Sequence, residues 1–264
     1  MNNKMAWTNV PSGILNGANQ RFWLALGDQA GNVANRLNTD VDFTNRLAHF
    51  AVSGGFEPST SQKRAREIMG RNMFGVEEAM KHFGVNPQKQ QLAILAEIPW
   101  REEVLVFCKD THVLIAVLPM SILDIRGHVD GKTLFYNQDW YNKQGFAKDK
   151  GEVGWHLIRK EPTADSTAKS WNEQQALLSK DEEMPTAQIM VYTIIGHFRA
   201  TGERLFERVY VRTSSLDSDG RRVVVGDFDA KGLRVGTWYD VPRHGHLGLS
   251  AARRKGRRKR NLNT

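Results

Sequence analysis

Seven of the eight residues from Arg253 to Arg260 are Lys or Arg. A block of like charge repels itself and cannot bury apolar area, so it cannot join a core by its own packing. Residues 251–264 carry seven positive charges and no negative ones out of a net +8, which leaves the other 250 residues at only +1. The chain therefore reads as a nearly electroneutral globule with a basic, disordered C-terminal tail. At 264 residues and 40% hydrophobic content the globule has enough apolar material for one large core or two smaller ones. The single cysteine, Cys108, has no intrachain disulfide partner, and its setting in Val104–Cys108 suggests burial over reactivity. No window holds the roughly 18 uninterrupted apolar residues of a spanning helix, and MNNKMAWTNV lacks a signal-peptide pattern. A cytoplasmic protein without a membrane partner is expected.

Texture changes near residue 100. Residues 1–100 hold ten Lys/Arg and eight Asp/Glu, residues 101–250 twenty and twenty-one, so neither block alone is a polyelectrolyte. The first block repeats apolar residues at helical spacing, in Arg21–Leu37 with Gly27 and Gly31 as weak points, and again in Asp42–Val52. Glu57–Ser61 is a linker that ends in caps for a helix over Lys63–Met69. Beyond Arg101 the period shortens. Val104–Cys108, Val113–Leu118, Ser121–Arg126, Lys132–Tyr136 and Glu152–Ile158 read as strands, with Asp130-Gly131 as a hairpin corner. Two core helices interrupt them. One opens at the capping box Ser170–Glu173, and the other follows Pro185, runs through the apolar stretch Ala187–Phe198 and stops at Gly202. Phe206–Thr213, Arg221–Phe228 and Leu233–Tyr239 form an antiparallel meander with Asp219-Gly220 as a corner. The expected fold class is α+β: a mainly helical module over 1–100, an antiparallel-sheet domain over 101–243 and a basic tail over 244–264.

The strongest functional pointer is the tail. Arg253, Arg254, Lys255, Arg257, Arg258, Lys259 and Arg260 suit phosphate neutralisation, which is salt-sensitive and blind to sequence. No aromatic residue is interleaved there, so stacking on single strands has to come from elsewhere. Gly75–Pro87 followed by Gln88–Leu95 resembles a helix-turn-helix, with Gly84-Val85 as the turn, although Gln90 falls where an apolar docking residue belongs. Lys63, Arg64, Arg66 and Arg71 precede it. Arg64, Arg66, Lys81 and Lys89 are the cations expected to orient this module on a phosphate backbone.

Other motifs are weaker. Gly127–Thr133 misses the phosphate-cradling loop by one register, since Arg126 stands where its first glycine belongs. Ser215–Gly220 echoes a calcium loop, but the twelfth position is Gly226 and not a bidentate glutamate. His244-Gly245-His246 places two imidazoles on one side of an extended chain, with Asp240 as a third ligand if any. Asp110, His112, Asp124 and His128, with His156, are acid-base residues that a fold could gather. Phe135–Asn142 interleaves Phe, Tyr and Trp with Asn and Gln, a composition for packing first and for stacking second. Gly-x-Ser-x-Gly, His-Glu-x-x-His, Cys-x-x-Cys and Gly-x-Gly-x-x-Gly are all absent from the sequence. Nothing calls for a cofactor or a metal, and no catalytic residue is assigned.

The phrases Arg64–Gly70, Lys109–Leu114 and Gly202–Phe206 resemble ones in a family of uncharacterised bacterial proteins, over about residues 55–250. The resemblance implies no activity, cofactor or site residue, and no characterised family is matched. The expectation is a non-enzymatic protein that binds DNA or RNA through its tail. The alternatives are a metal-assisted enzyme built on Asp110, His112, Asp124 and His128, and an interaction module that offers its tail to an acidic protein partner.

Overall fold

The computed structural model describes residues 12–52, 55–240 and 244–255. The chain divides into two compact units, residues 1–57 and 58–264. In the first, α1 (Ser12–Leu26), α2 (Ala30–Thr39) and α3 (Val41–Val52) follow one another. The pattern expected over Arg21–Leu37 breaks at Gly27, whose φ of +52° opens one 3-10 turn between α1 and α2. Asp40 stops α2 and caps α3, its Oδ1 accepting the Phe43 amide at 2.8 Å. That backbone bond holds its carboxyl below the usual carboxylate range. Arg36 lies over the Phe43 ring at 3.8 Å, tying α2 to α3.

The second unit is α+β and begins at α4 (Thr60–Met69), where Ser59 and Gln62 form a reciprocal capping box. Next come β1 (Met73–Phe74), α5 (Val76–Phe83), α6 (Lys89–Leu95), α7 (Glu102–Cys108) and β2 (His112–Val117). The chain continues through α8 (Ile122–His128), α9 (Gly131–Leu134), α10 (Gly145–Lys148), β3 (Gly154–Arg159), α11 (Trp171–Gln175) and β4 (Glu182–Glu183). It ends with α12 (Ala187–Thr201), β5 (Tyr210–Leu216), β6 (Arg222–Asp229), β7 (Gly232–Trp238), β8 (Leu247–Leu249) and β9 (Ala252–Arg253). One sheet has the order β1-β2-β3-β9-β4 and the other β7-β6-β5-β8.

The core is α12. Thr186 caps its start, Gly202 ends it at φ +76°, and every residue from Met190 to His197 is buried. It packs against β2 of the first sheet and against β5 and β6 of the second. Gly196 gives the closest approach, since a Cβ there would stand 3.1 Å from the Phe74 ring and 3.3 Å from Phe83.

Three segments expected as strands are helical. Val104–Cys108 lies in α7, where only Leu105 and Cys108 are buried while Val106 and Phe107 are 53% and 75% exposed. A five-residue apolar run cannot distinguish a buried strand from a helix by period, and Glu102 and Glu103 favour a helix start. Ser121–Arg126 begins α8, because Ser121 and Asp124 cap each other. Lys132–Leu134 belongs to α9, because the Asp130 carboxylate accepts the Lys132 amide and starts a helical turn in place of a hairpin. Residues 58–100 also lie with the sheet domain, since Met73 and Phe74 pair in parallel with Leu114 and Ile115. The division falls after Glu57 and not at residue 100. Residues 244–255, expected in the tail, supply β8 and β9. Ala252 pairs with Ile158 of β3 and Glu183 of β4, and Arg253 with Glu182.

Candidate nucleic-acid interface

Three of the seven expected tail cations lie on the body. Arg253 sits on β9 with its guanidinium 4.0 Å from Asp181. The Arg254 amide donates to the Asp181 carbonyl at 2.8 Å and its Nε to the Glu182 carbonyl at 2.9 Å, while its own carbonyl accepts the Trp100 indole. Glu183 stands 3.9 Å from the same guanidinium. These two arginines thus face the acidic strand β4. The Lys255 ammonium occupies the space above Gly154, 2.9 Å from where a Cβ would be. Arg257, Arg258, Lys259 and Arg260 lie outside the described residues.

Beneath this root is a buried polar cluster. Glu182, almost fully buried, accepts the Arg159 guanidinium at 2.7 Å, and this bond keeps its carboxyl below the usual range against the opposing push of burial. His112 is buried, with Nδ1 2.8 Å from the Thr111 hydroxyl and Nε2 without a partner. Burial, aided by the nearby Arg159 charge, pushes its pKa down to about 4. Burial also raises the Cys108 thiol, which favours the protonated form of this packed side chain. His156 is likewise lowered to about 4, by burial and then by Lys255.

The cations expected to orient the helix pair are only partly gathered. Arg66 donates to the Glu78 carboxylate and to the Met73 carbonyl, both at 2.6 Å, and with Lys81, Arg71 and His82 it lines a hollow of 230 Å³. Glu77 and Glu78 line the same hollow, so its charge is mixed. Arg64 is held by Glu67 at 2.7 Å and Glu102 at 3.0 Å. Lys89 is exposed at the start of α6. Gly84 at φ +66° does make the turn after α5. However, α5 docks on α12 through Phe83 and Tyr192, whose ring centroids are 4.6 Å apart. Meanwhile α6 leans on β3, the Leu95 carbonyl accepting from Trp155 and from Gln62, each at 2.8 Å.

The acid-base residues do not converge. Asp110 and His112 stand at the start of β2, whereas Asp124 and His128 follow its far end on α8, where Asp124 caps the helix and His128 bonds the Asp124 carbonyl. The Asp217 carboxylate is saturated by the Asp219 and Arg221 amides and the Arg221 guanidinium, which makes Ser215–Gly220 a hairpin corner. The His244 and His246 rings lie 6.3 Å apart. Among the described residues, no group of three or more His, Cys, Asp or Glu side chains is arranged to hold a metal. In the aromatic stretch Phe135 and Tyr141 are buried. Trp140 donates to the Val235 carbonyl, and Arg234 covers Tyr136 at 4.6 Å, so packing accounts for most of it.

Two clusters escaped sequence reasoning. Glu203 binds Lys160 at 2.5 Å, Arg71 at 3.0 Å and the buried His197 at 3.2 Å. Burial alone would raise its carboxyl, but Lys160 and His197 hold it below the usual range. The second cluster is a hollow of 380 Å³ on the second sheet, walled by Tyr210, Trp238, His244 and His246. Residues from four strands and a loop meet there, and only the strand register could have revealed it. No family model matches the chain, and no similar curated protein or solved structure was found.

Among the described residues, no helix is long and apolar enough to cross a membrane.

Proposed function

We propose that this protein binds nucleic acid by phosphate contacts from its basic C-terminal segment. The observation that carries the reading is the charge partition, with seven positives and no negatives in residues 251–264 against +1 on the rest. The placement of β9 refines it. Arg253 and Arg254 already face Asp181, Glu182 and Glu183, so the grip falls mainly on Arg257, Arg258, Lys259 and Arg260, with Lys255 at the anchored end. Lys81 and Lys89, exposed on α5 and α6, are supporting contacts. Arg64 and Arg66 contribute less, because carboxylates already hold them.

Each neutralised phosphate contributes about −0.9 to the slope of log K against log salt on B-DNA, so four cations account for roughly −3.6. Binding to duplex DNA and to structured RNA across a salt series tests this. A chain that stops at Lys255 keeps β9 and should lose most of that slope. Unchanged affinity and unchanged slope would remove the reading.

A further inference from the structure

We infer that the outer face of the second sheet holds a pocket for an unstacked nucleobase, and that single-stranded nucleic acid is therefore this protein's ligand. The inference rests on the nucleic-acid reading for its choice of a strand over a free nucleotide, but the pocket stands on its own geometry.

The register builds the pocket. Tyr210 pairs with Gly226, Gly226 with Arg234, Val224 with Gly236 and Arg222 with Trp238. Side chains directly opposite one another share a face, and alternate residues along a strand return to it. Tyr210, Arg212, Val224, Arg234 and Trp238 therefore lie on one face, where Arg212 and Val224 are already buried, while Val211, Val223, Val225 and Val235 lie on the other and are buried. One part of the outer face is already covered. Arg222 stacks on Trp171 at 4.0 Å, and the fully buried Arg212 donates to Gln174 at 2.8 Å, so α11 sits there.

Clear of that cover, Tyr210, Asp227, Trp238 and Leu247 enclose a hollow together with the loop histidines His244 and His246. Gly226 has φ +144°, and a Cβ on it would overlap the Val209 carbonyl oxygen. No larger residue fits at Gly226 without moving backbone. Half-buried Trp238 and Tyr210 wall the opening, His244 stands edge-on to Trp238 at 4.8 Å, and His246 and Arg208 stand at the rim. Asp227, on the wall of the hollow, is held at φ +49° where the β6–β7 register shifts after Gly226.

The chemistry selects the ligand. Aromatic and imidazole walls suit a flat π system. The Asp227 carboxylate is taken by Arg234 at 2.9 Å and by the Tyr210 hydroxyl, so it is not free to receive the hydroxyls of a neutral sugar. Arg208 and the two histidines offer donors for an anion attached to the ring. A volume of 380 Å³ is near the lower bound of small-molecule sites, about 300 Å³, and admits one base but no stacked pair. His246 lies nine residues before Lys255, so the pocket and the anchored end of the basic segment are at most roughly 30 Å apart along the chain. A strand with one base in the pocket can run toward that segment.

The test compares an oligothymidylate of about 12 nucleotides with an abasic strand of equal length and charge, at fixed salt. The native chain should bind the base-bearing strand about tenfold more tightly. Trp238→Ala should bring the two strands level without altering the salt slope, Trp238→Phe should restore most of the preference, and the exposed His244→Ala should weaken it without risk to the core. The chain that stops at Lys255 should lose salt slope and keep the preference. If truncation leaves the slope unchanged but Trp238→Ala still abolishes the preference, the tail reading fails and the pocket stands. Equal binding of both strands by the native chain, or a preference that survives Trp238→Ala and His244→Ala, overturns the pocket. Thymidine monophosphate binding as tightly as the strand overturns its assignment to a single strand.

Discussion

Acidification should weaken the sheet domain well before its carboxylates titrate, and His112 gives the size of the effect. Its ring is only 3% exposed, its Nε2 has no partner, and its pKa is pushed down to about 4 from an ordinary 6.5. As the pH falls through 6.5 the unfolded chain takes up a proton that the native ring refuses until about pH 4, so the unfolded state gains. Stability from this group is thus complete above pH 6.5 and is lost progressively down to 4. One group titrated across that window is worth up to about 3 kcal/mol, most of it gone by pH 4.5. The lowered carboxyls of Glu182, Glu203 and Asp124 behave differently. Their contribution is lost mainly below the unfolded carboxylate pKa of about 4 to 4.5, so a fall from pH 7 to 4.5 draws chiefly on the histidines. Urea unfolding at the two pH values, followed by circular dichroism, reads the effect as a midpoint shift on the order of 1 M. His112→Phe removes the proton site, leaves no buried ring nitrogen and frees the exposed Thr111 hydroxyl for water. It should lose clearly less stability over the same interval, with a residue due to His156, His197 and His82. Equal losses in the two proteins would show that the proton is taken up elsewhere.

Gly232→Ala should cost more than about 3 kcal/mol, because φ is +103° and the added Cβ would overlap the backbone of Phe135 and Tyr136. A drop below about 1 kcal/mol in urea unfolding would contradict that placement. Cys108 should resist a thiol-specific reagent in the native protein and react once per chain after unfolding, since it is fully buried with its pKa raised. Rapid native labelling would mean that α7 opens far more readily than its packing implies.

Much of the fold was legible because local rules and global packing agree. The apolar run Ala187–Phe198 could only be an interior helix, and Ser170 and Glu173 form the reciprocal cap that their spacing announces. The meander of β5, β6 and β7 follows from alternating residues and the Asp219-Gly220 corner. Failures came where short range carries little information. Val104–Cys108 is compatible with strand or helix, and Ser121–Asp124 is a capping box whose acid is Asp in place of the commoner Glu. That residues 58–100 belong with the sheet domain rests on β1 beside β2, α5 on α12 and α6 on β3, long-range contacts that no periodicity can register. The candidate pocket was hidden for a related reason. Tyr210, Asp227 and Trp238 belong to different strands, and nothing in their order along the chain says that they meet.

The position of β9 also constrains how the molecule can be made. Ala252 fills the space between β3 and β4, yet it lies 94 residues after its partner Ile158. At synthesis rates of about 5–20 residues per second, β3 leaves the ribosome roughly 5–20 s before that neighbour exists. Throughout that interval the amides and carbonyls along one side of β3 are a vacant template for any other extended chain. Until residue 252 arrives, that edge is the part of the nascent chain most open to pairing with a neighbour.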